Sequence, residues 1–419
     1  MMPPQSTPQA SSCPHLTFTD PGVLSCPFPT YAKLQEEAPV YLDPVTGMYV
    51  VTRYADIRAI AADPQTFAND TGQLQGRLTA ATARINAMME EAGVAEVNTL
   101  VTNDPPDHRR YRSLVDKAFG VKRMMSVRPR IDEITHDLID RFPREPFDFV
   151  QAFAIWLPMR MIAEQLGVPP EMGDTFKQWS DATMECTDPR IDPERHIECS
   201  RRKIEMNLFL AARGEELRSA PNDTLISDLA NSTIDGRQLT RGEFCSLLVQ
   251  LLVGGNETTT SALASGAYHL ASNPHLQAQL RAAPQKIKTF CEEVLRLESP
   301  LQGLFRKALT ATVLGGVSIP QGAILNIRWA AGNRDPRMFA EPQALDIDRL
   351  NATQHLTFGH GIHYCIGNQL ARAEMQQAFT ALLGRSRNIS LVPAEGAVQR
   401  QVHFLAHGPT RLMISFEPA

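Results

Sequence analysis

Between Val40 and Arg53 apolar and polar positions alternate around a Pro/Gly turn, which predicts a β-hairpin. Beyond it the apolar spacing changes to three and four residues. This predicts helices over 106–119, 127–142, 150–166, 171–186, 195–219, 239–272, 285–298 and 365–384, with short strands around 308–318 and 411–417. The expected fold class is therefore mainly α with a small β portion. In the longest helix Thr240 and Glu243 form a capping-box pattern, and Phe244, Leu247, Leu248, Leu251 and Leu252 recur at helical spacing until Asn273-Pro274 ends it. Residues 1–20, rich in Pro, Ser and Gln, read as a flexible tail, and 21–419 as one large domain. The least regular stretch, 71–101, reads either as a lid or as an ordinary surface excursion.

Composition narrows the function class. A net charge of -5 argues against a nucleic-acid binder, which carries a basic excess gathered into a stripe. No apolar run reaches the length of a signal peptide core or a membrane span, so the chain reads as cytoplasmic, with no membrane and no nucleic-acid partner. Seven scattered cysteines without a CxxC pair read as reduced thiols.

One of those thiols sits in FGHGIHYCIG, Phe358 to Gly367. Gly359 and Gly361 permit positive φ, so that backbone amides can converge on the Cys365 sulfur. The following IGNQLARAEMQQAFTALL is helical, which places Cys365 at a helix N-terminus, where unpaired amides favour a thiolate. Gly367 keeps the space above the sulfur flat. Such a thiolate suits one face of a planar metal macrocycle; the alternative is a buried structural cysteine. The stretch resembles the haem-binding loop of the cytochrome P450 family, F-G-x-G-x-H-x-C-x-G, at Phe358, Gly359, Gly361, His363, Cys365 and Gly367. The resemblance implies haem b (iron protoporphyrin IX) with Cys365 as the iron ligand.

Within the long helix, Gly254-Gly255 costs roughly 1 kcal/mol per residue against alanine, and Thr258-Thr259-Thr260 adds crowded β-branched side chains. Thr258 stands four residues after Gly254, so its hydroxyl can bond that carbonyl and open the helical ladder into a groove for a small molecule. Packing accommodation is the plainer reading of such a stretch. GGNETT also resembles the family's oxygen-activation motif, which implies Glu257 as the proton-relaying acid and Thr258 as the hydroxyl.

Two further sets follow from the resemblance. Glu293 and Arg296 share one helix face as an ExxR pair; with Arg349 in ALDIDRLN they correspond to the family's folding lock. His108 and Arg112 in DPPDHRRYR, Arg306 in LFRKA and His363 match positions that hold the haem propionates, whose burial demands cations or donors. Arg109 and Arg110 read equally well as a solvated basic face. If this helix lies on the thiolate side, its charge would steer an acidic ferredoxin.

The resemblance places the substrate pocket at Gln250, Val253, Gly254, Leu301, Gln302, Leu304, Leu405 and Ala406. This mainly apolar set fits a medium-sized hydrophobic molecule of terpenoid, steroid or fatty-acid type, with Gln250 or Gln302 offering one orienting hydrogen bond. The implied activity is monooxygenation: dioxygen is reduced with electrons from NAD(P)H through a ferredoxin reductase and a ferredoxin, and one oxygen atom enters a C–H bond. A peroxide-driven peroxygenase and a non-catalytic haem sensor are the alternatives; neither needs the acid–alcohol pair.

Overall fold

The computed structural model describes residues 16–71, 81–116, 119–188 and 190–419. The central element is the helix Arg241–Ser272, about 48 Å long at 1.5 Å per residue. Its capping box is formed as expected: Thr240 Oγ1 accepts from the Glu243 amide at 3.2 Å, and Glu243 Oε2 accepts from the Thr240 amide at 2.7 Å. Arg237 and the Tyr111 hydroxyl also bind Glu243, and its carboxyl is held down at about 2, chiefly by Arg237.

Around this helix pack the helices Trp156–Gln165, Gly173–Glu185, Pro193–Ser219, Ile287–Glu298 and Asn368–Arg385. The largest apolar core runs through them, from Val94 to Phe416. One contact is close enough to be tested. A methyl group on Gly266 would overlap the Phe379 ring, so the central helix approaches Asn368–Arg385 over a glycine notch. Gly266→Ala should therefore cost about 1–3 kcal/mol by overpacking, read as a lower urea midpoint; an unchanged midpoint would show that the ring can swing aside.

The predicted hairpin is present: Val40–Leu42 pairs antiparallel with Tyr49–Val51, with Gly47 at φ 69° in the turn. It joins a five-stranded sheet through Ile324–Ile327, which runs parallel to Tyr49–Val51, followed by Leu304–Ala308 and Phe67–Ala68. A second sheet orders Ser386–Leu391, Pro409–Pro418 and Val398–Arg400, with Phe147–Asp148 also paired to Pro409–Pro418. The predicted strand at 308–318 resolves into the end of Leu304–Ala308 and a separate hairpin, Thr312–Leu314 with Val317–Ile319.

Five sequence expectations change. The last long helix begins at Asn368 rather than at 365, because Gly367 is its N-cap. The helix expected over 127–142 starts at Val121, and 150–166 opens as a π-helical turn, Val150–Ala154, before Trp156. The tail is shorter than twenty residues: Phe18 is buried, stacked on Tyr31 and under the Arg328 guanidinium, while Thr17 and the Phe18 amide bind Asp43. Residues 1–15 lie outside those described. In 71–101, residues 72–80 also lie outside, Thr82–Glu91 is a helix, and 93–101 is pinned to the central helix, not free as a lid would be.

Candidate functional site

The loop Phe358–Gly367 is closed by the Cys365 amide, which donates to the Phe358 carbonyl at 2.8 Å. Gly359 and Gly361 take φ of 73° and 74°. At Gly361 a methyl would also overlap the Ala61 carbonyl oxygen, so both conformation and space require glycine. Gly367 brings no side chain over the sulfur; a Cβ there would lie 4.0 Å from Sγ. Burial pushes the Cys365 thiol up, while the Gly367 amide, Arg112, Arg372 and the Asn368 amide act the other way. A thiol so placed keeps its proton until a metal ion displaces it.

Behind the loop lies a network that the sequence reading missed. Arg372 binds both oxygens of Glu292, at 2.7 and 3.0 Å, and His355 Nε2 lies 3.1 Å from Glu292 Oε2. The Arg372 guanidinium covers the Phe358 ring at 4.4 Å and binds Asn368 Oδ1, and Asn368 Nδ2 donates to the Cys365 carbonyl. A chain of charge-assisted bonds thus runs from Ile287–Glu298 to the backbone carrying the thiol. The one signal was the second acid of the Glu292-Glu293 pair.

Glu293 itself is fully buried. Arg296 binds it with Nε at 2.6 Å and Nη2 at 2.9 Å, and Arg349 Nε lies 3.0 Å from Oε2. These three residues meet as the resemblance implied.

His108, Arg112, Arg306 and His363 also converge. The His108 and His363 rings have centroids 4.2 Å apart, and Arg112 donates to the Tyr364 carbonyl at 2.9 Å. The His363 imidazole is pulled down to about 3 by burial, then by His108, Arg306 and Arg112, and its Nε2 is buried without a hydrogen-bond partner. Arg306 is buried, brought down to about 10 by that burial, and bonds the carbonyl of its neighbour Phe305. Asp104 is the carboxylate that offsets it. Two guanidiniums and two imidazoles crowded this way call for an anion between them, and a pair of carboxylates such as the haem propionates fits. Arg109 and Arg110 stay outside: both are exposed, and Arg110 pairs with Asp107 and Asp235.

On the central helix Thr258 Oγ1 donates to the Gly254 carbonyl at 2.8 Å, the bond expected. The helix nonetheless runs unbroken from Arg241 to Ser272 instead of opening its ladder. Space for a small molecule comes from missing side chains, since a Cβ on Gly254 or Gly255 would meet nothing within 4 Å. Glu257 is half-buried; burial and then Asp181 push its carboxyl up to about 7, against Lys177. Lys177 and Asp181 pair at 2.6 Å on Gly173–Glu185, and the neighbouring Asn256 binds Ser180 at 3.0 Å.

Of the expected pocket residues, Leu301 and Ala406 meet in a β-bridge, and the Gln302 amide donates to the Leu405 carbonyl at 2.7 Å. Leu304 packs against the smaller core beside the five-stranded sheet, and Val253 against the main one. Gln302 is a correction. Its side chain is buried and engaged, accepting from the Tyr31 hydroxyl at 3.0 Å and donating to the Glu298 and Ser299 carbonyls, so it has no bond to offer a substrate. The Gln250 side-chain oxygen is likewise taken, by the Val101 amide at 2.9 Å.

Residues 166–391 match the cytochrome P450 family model. The chain is 34% identical over 391 residues to cytochrome P450 107B1 of Saccharopolyspora erythraea, covering 92% of this chain and 93% of that one. It is 33% identical over 392 residues to 6-deoxyerythronolide B hydroxylase of the same organism, covering 91% and 95%. Among solved structures, cytochrome P450 CREJ in complex with (4-ethylphenyl) dihydrogen phosphate superposes with a TM-score of 0.88 at 30% identity, covering 94% of this chain and 98% of that one.

Proposed function

The chain belongs to the cytochrome P450 family and is a haem b monooxygenase; from that premise we propose that it hydroxylates a medium-sized hydrophobic substrate with electrons passed from NAD(P)H through a ferredoxin reductase and a ferredoxin. Among the described residues no helix is long and apolar enough to cross a membrane. The working place is taken to be the cytoplasm, with residues 21–419, together with the packed Phe18, as one haem-binding unit.

Haem, when bound, supplies the activation of dioxygen. Cys365 Sγ would hold its iron, sheltered by the Gly367 and Asn368 amides. Arg112 and Arg306 would neutralise its propionates, and the imidazoles of His108 and His363 would donate hydrogen bonds to them. Glu293, Arg296 and Arg349 lock the fold and touch no reactant. Gly254 and Gly255 leave room on the central helix, and Val253, Leu301, Leu304, Leu405 and Ala406 contribute an apolar surface worth roughly 25 cal/mol per Å² that a substrate buries. The exposed Arg109 supplies positive charge for an acidic ferredoxin.

The observation that carries the catalytic reading is the Glu257–Thr258 step. A carboxyl raised to about 7 is neutral below that pH and can give up a proton near neutrality. Thr258 Oγ1 holds a proton on the Gly254 carbonyl and can turn from it to deliver that proton, taking its replacement from the Glu257 side. Thr258→Ala should therefore leave substrate binding intact while most reducing equivalents emerge as hydrogen peroxide. Coupling in the wild type should fall as pH rises through about 7 and Glu257 ionises, and Glu257→Gln should lose that dependence. Coupled turnover in Thr258→Ala, measured as product per NAD(P)H oxidised, would reject the relay.

A further inference from the structure

Along the chain the cysteines look scattered, but the fold brings two of them together. Cys186 caps the C-terminus of Gly173–Glu185, and Cys199 lies in the second turn of Pro193–Ser219. Bonds between these helices fix their register. Trp179 Nε1 reaches Glu205 Oε2 at 3.5 Å, Arg202 binds Gln178 Oε1 at 2.7 Å, and Arg195 binds both oxygens of Glu185, each at 2.8 Å. Rising numbers on one helix meet falling numbers on the other, which sets Cys199 against the end that Cys186 caps. Two crossing contacts locate the sulfurs: Cys199 Sγ donates to Glu185 Oε2 at 3.4 Å, and Cys186 Sγ lies 3.9 Å from Ser200 Oγ. Each sulfur touches the chain neighbour of the other.

The two differ in access. Cys199 is fully buried, whereas Cys186 is half-buried and meets solvent. Burial pushes the Cys199 thiol up to about 12, with Cys186 and Glu185 adding to it and Arg195 acting against. Burial also raises Cys186, together with Glu96 and Glu185, but Lys203 and Ser200 oppose the rise. Both thiols therefore keep their protons at neutral pH, and an oxidant reaches Cys186 first.

We propose that Cys186 and Cys199 are a peroxide-responsive pair, closed to a disulfide by hydrogen peroxide and reopened by cellular thiols. Hydrogen peroxide is what uncoupled turnover releases, so its source rests on the monooxygenase reading; the sulfur chemistry does not. The Cys186 sulfur attacks one peroxide oxygen, the O–O bond breaks, and hydroxide leaves with the thiol proton as water. Cys199 then attacks the resulting sulfenic sulfur: the S–S bond forms, the S–O bond breaks, and hydroxide takes the Cys199 proton, until then held on Glu185, as a second water. Two thiols lose two electrons and peroxide gains them. The bond joins the end of Gly173–Glu185 to Pro193–Ser219, and Gly173–Glu185 also carries Ser180, bound to Asn256, and the Lys177–Asp181 pair beside Glu257. Peroxide thus staples the helix that lies against the acid of the proposed relay.

The test treats the haem-loaded wild type, Cys186→Ser and Cys199→Ser with excess hydrogen peroxide, with imidazole added to keep peroxide from the iron. Catalase stops the reaction, N-ethylmaleimide blocks free thiols, and unreduced digests are read by mass spectrometry. The wild type should yield a 186–199 linked peptide pair that dithiothreitol removes. Its formation should be about tenfold faster at about pH 8 than at about pH 7, because the thiolate fraction grows in that ratio. With dimedone present, Cys199→Ser should be labelled at Cys186, whose sulfenic acid has lost its partner, while Cys186→Ser keeps Cys199 as a thiol. Closing the bond should slow amide exchange in peptides spanning Gly173–Glu185 about tenfold. Absence of the 186–199 link in the wild type, a link that forms only when imidazole is left out, dimedone on Cys199 in Cys186→Ser, or unchanged exchange after closure would each overturn the proposal. Failure of imidazole to shift the Soret band would strike the haem reading alone, since the sulfurs are read separately by mass.

Discussion

Glu293→Gln should lower the stability of the protein by about 3–5 kcal/mol, the loss expected when one partner of a buried ion pair is removed and the others are left charged. Glu293 and Arg296 are both fully buried, and Arg349 is nearly so. Burial alone would raise the Glu293 carboxyl; Arg296, the Asp346 amide and Arg349 outweigh it and hold the group below the ordinary carboxylate range. The remaining donors explain why the damage would spread. Arg296 binds the carbonyls of Asn333, Pro342 and Ala344, and Arg349 those of Ala340, Glu341 and Ala344. With the carboxylate gone, two buried cations repel across the segment that leads into the cysteine loop. Urea unfolding should show the drop, together with poorer haem retention. A midpoint within error of wild type would mean that the lock contributes nothing.

Cys365→Ser should instead spare the fold and remove the activity. The bonds that shape the loop at this position are made by main-chain atoms, the Cys365 amide to Phe358 and the Cys365 carbonyl to Asn368, and serine keeps both. What disappears is the sulfur. An alcohol is a far poorer anionic donor than a thiolate, so turnover should fall by roughly two orders of magnitude or more, while the urea midpoint changes little. Turnover close to wild type in this variant would exclude Cys365 as the ligand.

How far the sequence could be read depended on the distance over which each residue finds its partners. The cysteine loop was legible because its glycines, its sulfur and the following helix lie within ten residues; only the helix start moved, since Gly367 serves as the cap. The capping box and the Thr258–Gly254 bond were legible for the same reason, each spanning three or four residues. Gln302 was misread because its partner Tyr31 lies 271 positions away, in the helix Phe28–Glu37 that no strong apolar period announces. The strand Ile324–Ile327, short and buried in mid-sheet, lacked the alternation that marks a half-exposed strand. Glu292 was passed over although it is paired as closely as Glu293, because a buried acid and a surface acid look alike in a sequence until Arg372 and His355 are seen beside them. The propionate set needed the family resemblance, since nothing local links His108 to His363 across more than 250 residues.

The most direct test is the spectrum of the purified, haem-loaded protein after reduction and exposure to carbon monoxide. If Cys365 supplies a thiolate to the iron, the Soret band should lie far to the red in the wild type, and the shift should disappear in Cys365→Ser. A band at the position of nitrogen-ligated haem in the active wild-type protein, or a red-shifted band that survives in Cys365→Ser, would contradict the assignment.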